Sequence, residues 1–149
     1  MDGFVQVPNA LTTYYNYFPQ FNGNTMQVYA YLKRMFNADY GYAFPTELQA
    51  MGDLVMSDST FSKHVKTLKN CGLITVKRHK SGSFSNNVYI VHEPITDMDE
   101  FFRTYPEADE VRRKKTETIA KIKKRKSDEA EAFVEAKRSE EGDELSGWL

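Results

Sequence analysis

The sequence predicts a mainly α fold with a small β-hairpin, followed by a charged helical extension. Three observations carry this. Apolar residues recur at helical spacing in three stretches between Thr25 and Leu68. Two β-branched runs, "LITVKRH" and "VYIVH", flank a Ser/Gly/Asn-rich stretch, "KSGSFSNN". After His92 the composition turns charged and poor in large apolar residues. The expected organisation is a domain over 1–92 with an N-terminal aromatic arm, a short amphipathic helix or linker over 93–105, and a charged helical or partly disordered tail over 106–149.

The arm, "VPNALTTYYNYFPQFNGN", is aromatic and turn-rich and is expected to pack its tyrosines on the core. Asn24 or Thr25 is expected to cap a first long helix reaching about Asn37, with Val28, Leu32, Met35 and Phe36 on one face. Pro45 and Thr46 favour the start of a second helix over about Glu47 to Val55, with Leu48, Met51 and Leu54 inward. Ser57 is the expected cap of a third helix, and Asp58 in its first turn suits the helix dipole. Phe61, Val65 and Leu68 form its predicted buried stripe. Gly72 ends it where a left-handed residue is cheap. The two β-branched runs then form a hairpin with a basic tip. "TDMD" fits a capping box before Phe101, Phe102 and Tyr105, which are expected to cover the domain or to form a dimer contact. From Pro106 to about Glu141 the chain reads as a solvated helix whose heptads are interrupted.

The net charge of −1 conceals strong segregation. Residues 111–126 carry nine Lys/Arg against one Glu, a net of +8, and residues 127–149 carry two against eight, a net of −6. A single cysteine, Cys71, permits no intrachain disulfide. The chain offers no run of 18 apolar residues and no signal-peptide pattern at its start, so a cytoplasmic protein is expected, with no membrane contact.

Helix, helix, Ser-capped helix, Gly-Leu-Ile and basic hairpin together resemble a winged helix-turn-helix domain. The resemblance rests on Ser57-x-Ser59-Thr60, on Leu68 with Gly72-Leu73-Ile74, and on Asn87-x-Tyr89, within about a third of the chain. The upstream stretch resembles the N-terminal winged helix of plasmid and phage replication initiators and of DnaD-like primosome proteins. Three departures stand out. The helix–helix turn has Val55 where such domains often have glycine. A β-branched residue resists positive φ, so a turn of different geometry is expected, or one shifted by a residue. Asp58 follows the cap where DNA readers often carry Arg or Lys. A charged tail stands where initiators usually have a second folded domain, which argues against autonomous initiation.

The resemblance implies a double-stranded DNA partner. With Phe61, Val65 and Leu68 inward, the expected outward set is Ser59, Thr60, Ser62, Lys63, Lys66 and Thr67, which a major groove would accept. Lys77, Arg78, His79, Lys80, Ser81 and Ser83 are the expected wing contacts. Without the hairpin, a solvated helix face would be the simpler reading. The tail residues Arg112, Arg113, Lys114, Lys115, Lys121, Lys123, Lys124, Arg125 and Lys126 could add salt-sensitive affinity, pair with the acidic flanks, or simply be solvated. Trp148 and Leu149 are either a docking tip for a replication or transcription protein or a frayed end. Two-fold symmetry would double a short DNA site, so a homodimer is compatible with the pattern.

No catalytic constellation, phosphate loop or metal-ligand spacing is found, so neither an enzyme, nor a cofactor, nor a small-molecule substrate is expected. Two functions follow. One is a duplex DNA-binding protein of a phage, plasmid or mobile element, regulating transcription or assisting at a replication origin. The other is an adaptor that docks replication or transcription machinery through its acidic and aromatic tail.

Overall fold

A computed structural model of the chain describes residues 3–81 and 84–146, with side chains described for 3–80 and 86–142. The arm forms α1 (Ala10–Thr13) and a single 3-10 turn over Tyr15–Tyr17. Its Leu11, Tyr14, Tyr15, Phe18 and Phe21 are buried, as the aromatic pattern suggested. α2 (Gly23–Arg34) is capped by Asn22, two residues before the earliest cap expected. Asn22 accepts from the backbone N–H of Asn24 and Thr25, and the Thr25 hydroxyl accepts from the Asn22 N–H. Thr25 is thus the far member of a capping box rather than the cap. The buried face of α2 comprises Val28, Tyr29, Tyr31 and Leu32, while Phe36 lies beyond the helix and is exposed.

α3 (Glu47–Leu54) starts at Thr46, whose hydroxyl accepts from the Gln49 N–H at 3.0 Å. Ala50 and Leu54 face the core, but Leu48, expected inward, is 80% exposed. The helix ends on Val55 in the left-handed region, at φ 52° and ψ 53°. The turn therefore keeps the left-handed geometry and imposes it on a β-branched residue, contrary to the expectation that it would change. Val55 is 89% exposed and gains no packing in return.

α4 (Asp58–Asn70) is capped by Ser57, which accepts from the Thr60 N–H. Gly72 follows at φ 76°, and a Cβ there would lie 2.8 Å from the Tyr105 hydroxyl oxygen. β1 (Ile74–Ser81) and β2 (Phe84–Val91) pair antiparallel, from Ile74 opposite Val91 to Ser81 opposite Phe84. The segment Phe84–Asn87, read from sequence as turn, is strand. Ala43 adjoins β2 through two backbone bonds with Tyr89, of 2.8 and 2.7 Å.

α5 (Met98–Thr104) is capped by Asp97 and buries Phe101 and Phe102. The Phe101 ring lies 5.1 Å from that of Tyr14 and 4.4 Å from that of Tyr15. The Tyr15 hydroxyl accepts from the Ile95 N–H, and Tyr14 donates to the Ile95 carbonyl. Arm and α5 thus close one core. The first unit accordingly runs to Val111, past the compositional boundary at His92, and Arg112–Leu149 form a second. α6 (Pro106–Ser146) is one continuous helix of 41 residues, opened by a proline at its first position.

Two stability predictions follow from the left-handed residues. Val55→Gly removes backbone strain and no packing. It should stabilise the protein by about 1 kcal/mol after glycine's entropic cost, raising the melting temperature by about 4 °C. A drop in melting temperature would show that Val55 is unstrained. Gly72→Ala should destabilise by about 1–3 kcal/mol. In a Tyr105→Phe background the loss should shrink, because the crowding oxygen is gone. Equal losses in the two backgrounds, by chemical denaturation, would leave backbone strain as the only cause.

Candidate nucleic-acid interface

The outward face of α4 carries Ser59, Ser62, Lys63, Lys66, Lys69 and Asn70, all exposed. Thr60 is half-buried. Its hydroxyl accepts from the Ser57 hydroxyl at 2.9 Å, and the Ser59 hydroxyl lies 3.2 Å from that of Ser57. The first turn thus spends its hydroxyls largely on the cap. Thr67, expected outward, is 4% exposed, and its hydroxyl donates to the Lys63 carbonyl. It faces the core because α4 packs against α2 as well as α3 and β1, so its buried stripe is wider than Phe61, Val65 and Leu68.

His64 belongs to that same wider stripe. It is 3% exposed, with Nδ1 3.0 Å from the Thr25 hydroxyl in the α2 capping box. This bond ties the start of α2 to the middle of α4. Burial, assisted by the Lys63 charge, lowers its pKa below the usual histidine value.

The hairpin cations lie along the outer half of β1, with Lys80 one pair from the end of the ladder. Lys77, Arg78, His79 and Lys80 are exposed and stand opposite Val88, Asn87, Asn86 and Ser85. Side chains alternate along a strand, so Arg78 and Lys80 share a face with Val76, while Lys77 and His79 take the other. Across the ladder Val76 meets Tyr89, whose buried ring lies 6.4 Å from that of Phe61 on α4. Arg78 and Lys80 therefore extend the side of the hairpin that α4 occupies. The Ser81 side chain and Ser83 lie outside the described residues.

Two grooves meet there. One, of about 320 Å³, is lined by Ser62, Lys66, Lys69 and Asn70 of α4 and by Val76 and Asn87 of the hairpin. The other, of about 290 Å³, brings Arg78, Asn86 and Asn87 against Thr46 and Glu47 at the start of α3. Asn87, Tyr89 and Glu47 line both. A third, of about 600 Å³, runs along the other flank of α4 past Lys63 and Lys66 to Gln20 and Glu107. Asn86 and Asn87 stand outside the expected contact set, since "KSGSFSNN" reads as turn, although the winged-helix resemblance puts Asn87 on the last strand. In "FSNNVYIV" three polar residues precede four apolar ones, so no period-2 alternation marks Asn86 and Asn87 as strand.

The tail cations, Arg112 to Lys126, lie on α6 in the second unit. Trp148 and Leu149 lie outside the described residues. Cys71 is buried, its thiol pushed up to about 12 by burial. Among the described residues no group of three His, Cys, Asp or Glu side chains is placed to hold a metal, and no helix is long and apolar enough to cross a membrane.

Two helices joined by a left-handed turn, with the second beside an antiparallel hairpin, define a winged helix-turn-helix fold. The comparisons with solved structures agree. The fold is similar to a structure described as the N-terminal domain of a DNA-binding protein, with 21% identity, TM-score 0.53, and coverage of 73% of this chain and 88% of that one. It is also similar to a structure of a Rep–DNA complex, with 22% identity, TM-score 0.52, and coverage of 72% and 89%. No protein-family model and no curated protein matches the chain.

The His64 environment gives a pH prediction. The unfolded state takes up a proton near the ordinary pKa of about 6.5, and the folded state does so only at lower pH. The stability this histidine confers is present above that pH and is lost as pH falls below it. His64→Gln should flatten the fall in melting temperature between neutral and mildly acidic buffer. An unchanged slope would mean that other groups bind the proton.

Proposed function

We propose that this chain binds duplex DNA in replication or transcriptional control, by positioning alone and without chemistry of its own. α4 would enter the major groove and the hairpin would meet the backbone. The observation that carries the reading is the placement of Ser62, Lys63, Lys66 and Lys69 on one exposed helix face, next to Arg78, Lys80 and Asn87 of the hairpin. Lysines on the helix and hairpin would neutralise phosphates, and Ser62 and Asn87 are short polar groups suited to base edges. The solved structures of similar fold support it, since one is described as a domain of a DNA-binding protein and the other as a Rep–DNA complex. The task that fits best is that of an origin accessory or regulator on a phage, plasmid or other mobile element, acting in the cytoplasm. The domain over residues 3–111 would do the binding, and the tail cations would add affinity.

A second reading, a protein-docking adaptor, gains some support from the connector before α3. There Tyr40, Tyr42 and Phe44 pack on one another at the surface, with ring centroids 5.7–5.9 Å apart. Exposed apolar patches of this kind often contact proteins.

The test is retention of genomic fragments by the purified full chain at moderate salt, followed by affinity measurements on an enriched fragment. Lys63→Ala with Lys66→Ala should abolish retention. The slope of log affinity against log salt should fall by about 0.9 for each phosphate contact removed. Enrichment with no loss in the double variant would overturn the assignment to α4. No enrichment over input would overturn sequence-specific DNA binding and leave the adaptor, with deletion of residues 142–149 as its next test.

A further inference from the structure

The two oppositely charged blocks of the tail lie on one unbroken helix. α6 spans Pro106–Ser146, so residues in the basic block keep a fixed angular phase to residues in the acidic block. In that phase Lys115, Ile119, Ile122, Lys126, Glu129, Phe133, Ala136 and Glu140 follow one another in alternating steps of four and three. This is the spacing of a coiled-coil seam. The seam has exposed apolar residues: Ile119 is 43% exposed, Ile122 38% and Phe133 64%.

We infer that this seam is covered by the α6 of a second copy of the chain, running antiparallel. In an antiparallel pair the a positions of one helix face the d positions of the other. Centred between Lys126 and Glu129, that arrangement sets Ile119 against Ala136, Ile122 against Phe133, Lys126 against Glu129 and Lys115 against Glu140. Each facing pair is either apolar with apolar or cation with anion. A parallel pair would instead set each seam residue against its own copy, giving two Lys–Lys and two Glu–Glu layers. It would also stack the block of net +8 on its like. The occupant is therefore another α6, in one orientation and one register. The intrahelical pairs Arg125–Glu129 at 3.8 Å and Lys137–Glu140 at 3.9 Å do not compete strongly. They are exposed, and a carboxylate can accept from a second cation. The inference holds whether or not the chain binds DNA.

The experiment is sedimentation of the full chain over the micromolar range, without nucleic acid, with circular dichroism confirming that each variant remains helical. The parent should pass from monomer to dimer as concentration rises. Lys115→Glu with Lys126→Glu should weaken the dimer by at least about tenfold, and adding Glu129→Lys and Glu140→Lys should restore it. An equimolar mixture of Ile122→Cys and Phe133→Cys chains should form the mixed disulfide, and neither variant alone should cross-link. A parent that stays monomeric, a double variant that dimerises like the parent, or cross-linking of Ile122→Cys to itself would each overturn the inference.

Discussion

The relation between α4 and the hairpin is set at Tyr89, and the rest of the candidate interface depends on it. Its backbone exchanges two hydrogen bonds with Ala43, so β2 is anchored to the segment that leads into α3. Its buried ring meets Phe61 of α4 edge-on. One residue thus joins the strand, the α2–α3 connector and the outward helix. Arg78 and Asn87 are two ladder positions beyond Val76 and Tyr89, on the same face of the hairpin, so they inherit their placement from that junction. A wing loosely attached to its helix would have to order itself on binding, and that ordering costs affinity. Here the order is present beforehand, in a core contact that carries no charge.

The other side of α4 is held by polar groups. Thr25 serves at once in the capping box of α2 and as the partner of His64, and it is fully buried. A buried hydroxyl and a buried imidazole that satisfy one another fix direction more sharply than two methyl groups could, because hydrogen bonds have narrow angular tolerance. The aromatic arm and α5 complete the enclosure, with Tyr14 and Tyr15 gripping Ile95 and packing their rings at a tilt against Phe101. Burial raises the Tyr15 pKa to about 12, as expected of a phenol held neutral in an apolar shell. Residues 93–111 thereby belong to the first unit.

Much of this was legible in the residues. Thr46 and Ser57 announced their helices, because a hydroxyl just ahead of an apolar-periodic run has few better uses. Gly72 announced the exit of α4. The misses have physical causes. In "FNGNT" three neighbouring residues could cap, and only the reciprocal bond with Thr25 selects Asn22. Helical periodicity located one face of α4 but not its width, because α4 is covered by α2 on one flank and by α3 and β1 on the others. His64 and Thr67 thus turn inward. Leu48 shows the converse: a short helix such as α3 can seat itself with Ala50 and Leu54 and leave a leucine in solvent. Val55 was legible as an anomaly, and propensity chose the wrong resolution of it. The packing of α3 against α4 demands the left-handed turn and overrides the side chain.

The acidic residues near the site explain how its cations must be used. A helix N-terminus normally attracts phosphate through its dipole and free N–H groups. In α4 that end is already occupied: Ser57 accepts from the Thr60 N–H, and Asp58 places a carboxylate in the first turn. Glu47 stands at the junction of the two grooves shared with the hairpin, and Glu107 closes the groove on the opposite flank. A duplex bound as proposed would be excluded from the start of the helix and drawn toward Lys63, Lys66 and Lys69 in its middle and last turns. Arg78 and Lys80 on the hairpin lie on the same side. The first turn of α4 is then free of phosphate-binding duty. Ser62, one turn in from the cap and beside the lysines, is the α4 hydroxyl best placed to reach a base edge.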